Sequence, residues 1–259
     1  FVGVMADMNF APTEQSKQNL IREGKNPDSI YVTGNTAIDA LKLTVNQEYN
    51  DEITEWVGDD RLIVLTAHRR ENLGEPMLRM FRAIRRIIDK YDDVKMVYPV
   101  HLNPLVVDAA NKVFGDCDKI KLIKPLEVVE FHNLLSRSYL ILTDSGGIQE
   151  EAPSLGKPVI VLRDTTERPE GITAGTLKLA GTEEETIFRL VDELLSDEKE
   201  YERMIPFSKK PHTVDTVLQF LETNIPQYNH KRHCLDFDIV AYFYCYALIS
   251  LSDYRQEDC

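Results

Sequence analysis

The sequence predicts an α/β protein built on a doubly wound parallel sheet, and three observations lead to this fold class. Short apolar segments typical of strands alternate with longer segments typical of helices, which favours parallel strands joined by helical crossovers. One apolar segment runs directly into a Ser-Gly-Gly turn and then into a helix. Polar residues follow four of the strands, at the sheet edge where ligands bind in such folds.

The elements of this fold can be assigned in chain order. Residues 11–13 are predicted to open a helix that runs to about residue 23. Thr13 is its predicted N-cap, because a threonine oxygen can accept a hydrogen bond from the first turn. A strand follows at 30–33, and Asn35 or Thr36 caps the next helix. Further strands are predicted at 62–66, 94–98, 120–123, 139–142 and 159–162. Further helices are predicted at 77–91, 104–114, 127–136, 146–155 and 184–196.

The helix predicted over residues 77–91 has one apolar face and one basic face. Its apolar residues recur every three to four positions, as on the buried side of a helix. They are Met77, Met80, Phe81, Ile84, Ile87, Ile88 and Tyr91. The residues between them include Arg79, Arg82, Arg85, Arg86 and Lys90. We expect this basic stripe to be a solvated surface and not a nucleic-acid site.

The turn after the strand at 139–142 is the clearest candidate for a ligand site. The Ser145-Gly146-Gly147 segment lies between this strand and a helix that ends at Gly156. Glycine has no Cβ, so a ligand can lie on backbone N–H groups at the positive end of the helix, where a phosphate is favoured. Glu151, further along the helix, can accept hydrogen bonds from two sugar hydroxyls. Together these sites predict a nucleotide ligand, and a purely structural strand–helix corner is the alternative.

Three other predicted strands are also followed by polar or charged residues. His68 follows one strand, His101 follows the next, and Arg163 opens a charged loop after a later strand. In this loop Arg168 can pair with a phosphate or with one of the loop's own acids, so a structural salt-bridged loop remains an alternative. Because the carboxyl ends of parallel strands meet at one edge, we expect these side chains to lie near the Ser-Gly-Gly turn.

Charge and composition exclude some classes of function. The net charge of −13 argues against non-specific binding to nucleic acid. The residues available for a local positive cluster, which a phosphorylated ligand needs, are His68, Arg69, Arg70 and Arg168.

The four cysteines show no paired spacing, which is ordinary for a reducing cytoplasm and predicts no metal site. The apolar run at 239–251 is too short for a membrane anchor. The first residues carry no targeting signal and read as an interior cut.

Five motifs resemble those of the non-hydrolysing UDP-N-acetylglucosamine 2-epimerases, in the same order. They are Thr-Gly-Asn-Thr at 33–36, Thr-Ala-His-Arg-Arg-Glu-Asn at 66–72, Pro-Val-His-Leu-Asn-Pro at 99–104, the segment 143–158 that opens Thr-Asp-Ser-Gly-Gly, and Arg-Asp-Thr-Thr-Glu-Arg-Pro-Glu at 163–170. The resemblance runs over about residues 1–203. It implies one half of a GT-B-like fold, in which two Rossmann-like domains hold the substrate between them. Residues 31–203 then correspond to the UDP-binding Rossmann-like domain, and residues 1–30 to the end of a truncated N-terminal domain.

Residues 204–259 depart from the family pattern. The family's closing segment is absent, and an aromatic-rich stretch at 237–246 follows instead. One choice of codons for residues 211–214 would read Pro-Tyr-Gly in the adjacent frame, and the family carries a similar segment at this point. We therefore expect a frameshift near residue 205, with a genuine divergent tail as the alternative.

The resemblance also implies an activity and a set of site residues. The family inverts C2 of UDP-N-acetylglucosamine (UDP-GlcNAc) to give UDP-N-acetylmannosamine (UDP-ManNAc), by eliminating UDP to leave a 2-acetamidoglucal and then adding UDP back. His68 corresponds to a catalytic histidine at the phosphates. The substrate-binding positions are Phe131 beside the uracil, Ser145, Gly146 and Gly147 at the diphosphate, Glu151 at the ribose, and Arg168 near the phosphate or sugar. Arg69, Arg70 and His101 fall in motifs that contribute to a regulatory UDP-GlcNAc site in bacterial relatives.

The same resemblance implies UDP-GlcNAc or UDP as the partner, no cofactor and no metal. It implies a homodimer at full length and a cytoplasmic enzyme of cell-surface polysaccharide biosynthesis. The family's catalytic acids lie in the N-terminal domain, and Asp144 and Glu167 are the acids of the cleft region here that could serve as a sugar base. The open alternatives are a GT-B glycosyltransferase, a non-catalytic fragment that binds UDP-sugars, and a hydrolysing relative that releases N-acetylmannosamine and UDP.

Overall fold

A computed structural model describes residues 6–205 of the 259-residue chain. These residues fall into two compact units that divide between Ala40 and Leu41. In the first unit, strand β1 (Asn9–Ala11) pairs in parallel with β2 (Ile30–Val32), and helix α1 (Glu14–Arg22) lies between them in sequence. A 3-10 turn (Pro27–Ser29) precedes β2, and helix α2 (Thr36–Thr44) crosses the division. The expected departure from the family pattern after residue 203 falls almost wholly outside the described residues.

The second unit contains a six-stranded sheet in which every neighbouring pair of strands is parallel, so the predicted fold class is confirmed. The strands are β3 (Arg61–Thr66), β4 (Val94–Pro99), β5 (Ile120–Ile123), β6 (Leu140–Thr143), β7 (Val159–Val161) and β8 (Leu177–Leu179). The helices are α3 (Glu52–Val57), α4 (Glu75–Lys90), α5 (Pro104–Phe114), α6 (Val128–Arg137), α7 (Ile148–Ser154), α8 (Pro169–Thr173), α9 (Glu184–Ser196) and α10 (Glu198–Met204).

Caps at the helix ends follow the sequence. The Thr13 hydroxyl accepts a hydrogen bond from the N–H group of Ser16 at 3.1 Å, as predicted for the N-cap of α1. The Asn35 side chain accepts from the N–H group of Ala37 at 2.9 Å at the start of α2. Beyond α7, Gly156 has a φ of +72°, a left-handed conformation that glycine adopts without strain, and the predicted end of this helix is thereby confirmed.

The strand order places a topological switch point between β3 and β6. The spatial order is β5-β4-β3-β6-β7-β8, so the chain moves outward from β3 to β5, returns beside β3 as β6, and continues the other way. At this junction Thr66 and Thr143 are paired in register, and their hydroxyl oxygens lie 2.6 Å apart. Crossovers that leave in opposite directions open a crevice outside the carboxyl ends of the two strands, which is where ligands bind in such sheets.

Both faces of the sheet are covered. Along β3, Ile63 and Leu65 belong to a hydrophobic cluster on one face, whereas Leu62 and Val64 belong to a cluster on the other. All four are buried, as expected for a strand of a parallel sheet with helices on both sides. Within residues 6–205, no helix combines the length and the apolar character that crossing a bilayer requires.

The basic stripe of α4 lies at the surface as expected, but it packs against acidic residues of α9 instead of facing only water. Arg82 and Arg86 approach Glu184 at 3.1 and 2.9 Å, and Arg86 also pairs with Glu185 at 2.6 Å. The Arg86 guanidinium lies 4.4 Å from the centre of the Phe188 ring. Exposed ion pairs of this kind contribute at most about 1 kcal/mol each. Arginines of the stripe are therefore ion-paired with carboxylates of α9, and these pairs help to orient α9 on α4.

A buried histidine joins α6 to the last residue of α2. His132 is only 7 % exposed, and its Nδ1 atom lies 2.7 Å from the hydroxyl oxygen of Thr44. The neighbouring Asn133 side chain donates to the Thr44 carbonyl at 2.8 Å and accepts from the N–H group of Asn46 at 2.9 Å. Burial lowers the pKa of His132, since a charged imidazole is poorly solvated there.

We expect acid to destabilise the protein through His132. Because the pKa of this residue is lowered in the folded state, the unfolded chain binds a proton near pH 6.5 that the folded chain binds only at lower pH. The free energy of unfolding should therefore fall below about pH 6.5, by at most about 1.4 kcal/mol per pH unit from this residue. Urea unfolding across this range should show a shallower fall for His132→Gln. Identical pH slopes would assign the acid sensitivity to other groups.

Candidate functional site

A buried carboxylate holds the two sides of the switch point together. Asp144 follows β6 and has no exposed surface. Its Oδ2 atom accepts hydrogen bonds from the backbone N–H groups of His68 and Arg69, at 3.0 and 2.9 Å, and from Nδ2 of Asn72 at 3.2 Å. All three donors belong to the loop after β3. Because a buried charge is tolerated only when it is hydrogen-bonded, this loop is tied to the end of β6.

The other oxygen of this carboxylate faces His68. Among the described residues, Oδ1 of Asp144 is buried and accepts no well-aligned hydrogen bond. The Nδ1 atom of His68 nevertheless lies 3.3 Å away, within ion-pair distance when the ring is protonated. The His68 side chain is 39 % exposed, so one part of the ring meets the carboxylate and another part is accessible.

The sequence-predicted histidines His68 and His101 lie side by side. Their rings are stacked, with centroids 5.8 Å apart and planes inclined by 12°. The Nδ1 atom of His101 accepts a hydrogen bond from the N–H group of Asn103 at 3.1 Å. Burial, and then the neighbouring His68, lower the pKa of His101, which favours the neutral ring.

Two buried polar residues that the sequence did not single out support the loop after β3. The hydroxyl of the fully buried Tyr98 donates to the Ala67 carbonyl at 2.5 Å, and burial followed by the charge of Asp144 raises the pKa of Tyr98, which keeps it a donor. The Nδ2 group of Asn72 also donates to the Leu162 carbonyl at 3.3 Å. Asn72 therefore connects the ends of β3, β6 and β7.

The backbone of the Ser-Gly-Gly turn is open on one side. The Ser145 N–H group donates to the Thr143 hydroxyl at 2.9 Å. A Cβ added to Gly146 or Gly147 would meet Glu167 or Glu151 only at 3.9 Å, an ordinary contact distance. Neither glycine has a positive φ. Neither backbone strain nor packing within the described chain requires glycine here, and the missing side chains leave the backbone accessible from the crevice.

Gln149 connects this turn to the loop after β7, although it was not predicted to do so. Its Nε2 group donates to the Ser145 carbonyl at 3.0 Å, and its Oε1 atom accepts from the Thr166 hydroxyl. The same hydroxyl oxygen accepts from the N–H group of Arg168 at 3.0 Å. Gln149 is only 3 % exposed, so these bonds are shielded from water and fix the spacing between the turn and the loop.

The charged loop after β7 is internally paired. Arg163 holds Glu167 in a two-pronged ion pair at 2.7 and 3.0 Å, and this hydrogen bonding lowers the pKa of Glu167 to about 2. Arg69 lies 3.8 Å from the same carboxylate and donates to the Asp144 carbonyl at 3.2 Å. The structure argues against Asp144 and Glu167 as sugar bases. Asp144 is inaccessible, and both carboxylate oxygens of Glu167 are held by Arg163.

Arg168 is paired with a protein carboxylate in this structure. Its Nε group donates to Glu150, on the first turn of α7, and one of its NH groups donates to the Glu167 carbonyl at 3.1 Å. This is the alternative of an acid-paired loop arginine that the sequence left open. Gln149 and Thr166 connect the backbone of Arg168 to the Ser-Gly-Gly turn.

The remaining predicted site residues occupy different settings. Glu151 is half-buried on α7, and burial, followed by the charge of Glu150, raises its pKa to about 7. Phe131 on α6 packs against the hydrophobic cluster that contains Val64. Arg70 is exposed at the start of the 3-10 turn that follows His68 and Arg69. In the part of the chain that the structure describes, no three histidine, cysteine, aspartate or glutamate side chains are grouped to hold a metal ion.

The fold and the polar crevice at its switch point define a Rossmann-like α/β domain of the type that forms one half of a GT-B-like fold. The chain belongs to the UDP-N-acetylglucosamine 2-epimerase family, whose profile matches residues 1–222, and the resemblance of its motifs is thereby confirmed.

Relatives in bacteria are similar over most of the chain. The UDP-N-acetylglucosamine 2-epimerase of Bacillus subtilis is 57 % identical over 230 residues, which are 89 % of this chain and 60 % of the relative. The Escherichia coli K12 enzyme of the same name is 46 % identical over 211 residues, 78 % of this chain and 56 % of the relative. The chain thus spans about 60 % or less of the length of these relatives.

Two solved structures have the same fold. S. aureus MnaA in complex with UDP matches with a TM-score of 0.80 and 50 % identity, over 85 % of this chain and 61 % of that one. The Neisseria meningitidis UDP-GlcNAc 2-epimerase bound to UDP-GlcNAc matches with a TM-score of 0.78 and 40 % identity, over 86 % of this chain and 63 % of that one.

We expect Asn72→Ala to lower the free energy of unfolding by about 1.5–3 kcal/mol, since it removes a hydrogen bond to a buried charge and a second bond to a buried carbonyl. Arg70→Ala, in the same 3-10 turn but exposed, is the matched control and should change stability by no more than about 0.5 kcal/mol. Urea unfolding compares the two. Equal effects would mean that Asn72 does not support the buried carboxylate.

Proposed function

We propose that this chain is the UDP-binding half of an enzyme that interconverts UDP-GlcNAc and UDP-ManNAc. The observation that carries the proposal is the buried Asp144 network, which holds His68 against the residue that precedes the Ser-Gly-Gly turn, at the switch point of the sheet. Membership of the epimerase family supports the reaction, and related proteins have been solved with UDP and with UDP-GlcNAc. A glycosyltransferase is not favoured by these comparisons.

The proposed ligand orientation follows the sheet edge. The diphosphate lies on the Ser145 hydroxyl and on the backbone N–H groups of Gly146 and Gly147, where the helix dipole of α7 favours negative charge. Glu151 accepts hydrogen bonds from the ribose hydroxyls, and Phe131 lies beside the uracil. Arg168 exchanges Glu150 for the diphosphate, because a guanidinium binds phosphate with two parallel hydrogen bonds.

The proposed reaction requires charge stabilisation at the leaving group and proton transfer at the sugar. The C1–O bond to the diphosphate and the C2–H bond break, which leaves a 2-acetamidoglucal and UDP. UDP then adds back at C1, and C2 receives a proton on the opposite face. Negative charge grows on the diphosphate as C1–O breaks, and a protonated His68 beside it stabilises that charge. The groups that move the C2 proton are assigned to the N-terminal domain that family members carry before this region.

The wider context is also part of the proposal. Residues 31–203 form the UDP-binding domain, and residues 1–30 are the end of the preceding one. The full-length protein is a cytoplasmic homodimer in cell-surface polysaccharide biosynthesis. Arg69, Arg70 and His101 contribute to a second UDP-GlcNAc site, and the stacking of His101 on His68 gives that site a direct contact with the catalytic one.

A chimera tests the proposed activity. The N-terminal domain of the Bacillus subtilis relative is joined ahead of this chain, and formation of UDP-ManNAc from UDP-GlcNAc is followed. The chimera should epimerise the substrate, and the chain alone should bind UDP without turnover. A folded chimera that binds UDP but does not epimerise UDP-GlcNAc would overturn the proposal in favour of a binding module, and turnover by the chain alone would overturn the assignment of the sugar-side acids.

Glu151→Ala should weaken UDP binding about 10- to 100-fold and leave inorganic phosphate binding unchanged. The reason is that the carboxylate is proposed to hold the ribose, and a hydrogen bond to a charged group contributes about 1.5–3 kcal/mol. Calorimetric titration of both ligands measures this. Equal losses for UDP and phosphate would indicate damage to α7 instead.

The Glu151 site should also make UDP binding pH-dependent. The pKa of Glu151 is raised to about 7 in the free protein, and only the carboxylate accepts two hydroxyl donors. UDP affinity should therefore rise as the pH increases through 7. Glu151→Gln is the control, because UDP's own titration affects both proteins equally. A pH profile of the same shape in both would exclude Glu151 from the ribose site.

In the chimera, His68→Asn should lower kcat by about 10²-fold or more and change KM little. An interaction that strengthens only as the diphosphate departs affects the transition state and not substrate binding. If His68 merely supported the loop after β3, the variant would instead melt at a lower temperature with near-normal turnover of the folded fraction. Steady-state kinetics together with thermal unfolding separate these outcomes.

A further inference from the structure

We propose that Asp144 is a positioning residue that holds the neutral His68 ring in a single tautomer, with the proton on Nδ1 and the lone pair on Nε2. The link from this tautomer to the departing diphosphate rests on the proposed function, whereas the tautomer itself does not. Asp144 touches His68 and not the ligand, so its effect on the reaction passes through the imidazole.

One oxygen of the Asp144 carboxylate is available to interact with His68. Three donors on Oδ2, two of them backbone N–H groups, fix the position of Asp144 and leave Oδ1 buried. Oδ1 is 3.3 Å from Nδ1 of His68. An ionised carboxylate can only accept, so it stabilises a proton on Nδ1 and repels a lone pair there. The ring is thereby set with Nε2 away from Asp144.

This tautomer matches the proton transfer that the proposed reaction needs. A protonated His68 carries protons on both ring nitrogens. If the Nε2 proton passes to the diphosphate oxygen as the C1–O bond breaks, the neutral ring that remains carries its proton on Nδ1, facing Asp144. When UDP adds back, the proton returns to Nε2. Asp144 stabilises both states of the ring and takes no proton itself, as the acid of a Ser-His-Asp triad does.

His101 provides an internal reference with the opposite tautomer. Its Nδ1 atom accepts from the Asn103 N–H group at 3.1 Å, so Nδ1 carries the lone pair and Nε2 the proton. The two rings are stacked 5.8 Å apart. The two neighbouring imidazoles therefore carry their protons on different nitrogens, because one Nδ1 atom faces a carboxylate and the other faces an N–H group.

Asp144→Asn separates this role from simple support of the loop. The carbonyl oxygen of asparagine can replace Oδ2 and keep the bonds from the N–H groups of His68 and Arg69. Its NH₂ group then faces Nδ1 of His68 and donates to it, which favours the other tautomer. A purely structural Asp144 would tolerate this change without any effect on the ring.

The test is the pattern of ¹H–¹⁵N correlations of the histidine rings in the 259-residue chain, recorded above the pH of imidazole titration. His68 should carry its proton on Nδ1 in the wild type and on Nε2 in Asp144→Asn, and His101 should carry it on Nε2 in both. A wild-type His68 with its proton on Nε2 overturns the proposal, whether or not the variant folds. An unchanged His68 tautomer in a folded variant, with the His101 signals unshifted, overturns it as well.

The chimera adds a kinetic readout. Asp144→Asn should lower kcat by about 10²-fold or more with little change in KM, as His68→Asn does, and the double variant should lose no more than either single variant. Independent, multiplicative losses would overturn the coupling of the two residues. If the predicted tautomers are observed and the wild-type chimera does not epimerise UDP-GlcNAc, the proposed function fails and the assignment of Asp144 stands.

Discussion

The hydrogen bonds that converge on the Asp144 carboxylate are the constraint on which the candidate site depends. An ionised carboxylate with no exposed surface costs several kcal/mol unless donors surround it. Here the three donors lie in residues 68–72, the loop after β3. The carboxylate that follows β6 can therefore be buried only when this loop lies against it. The same hydrogen bonds therefore join the two strands of the switch point and fix the position of the His68 backbone.

The charges around this site are balanced within the chain. Arg163 is paired with Glu167, Arg168 with Glu150, and Arg69 reaches the Asp144 carbonyl. The crevice is therefore not an empty positive pocket. In the proposed ligand orientation, Arg168 exchanges Glu150 for the diphosphate, so the number of ion pairs changes little. The open backbone at Gly146 and Gly147 needs no such exchange, and in the proposed orientation it anchors the diphosphate.

Long periodic segments carried enough information to predict most of the fold. The helices at 104–114 and 184–196 and the strand at 120–123 have the bounds that the sequence predicts. Strand β8 and helix α8 were missed, because three and five residues are too few to show a period. The rule that strand ends converge correctly brought His68 and His101 together. The partners of Asp144 and the role of Asn72 were not predictable, since these bonds join residues more than 70 positions apart.

Hydrogen exchange at two backbone amides measures whether the Asp144 carboxylate holds the loop after β3 in place. If Asp144 fastens the loop after β3, the amide protons of His68 and Arg69 should exchange slowly although they lie in a partly exposed loop, and Asp144→Ala should make both exchange fast while leaving the amides of β3 protected. Fast exchange of both amides in the wild-type protein, at the rate of an open loop, would contradict the account, because the carboxylate would then not be holding the site together.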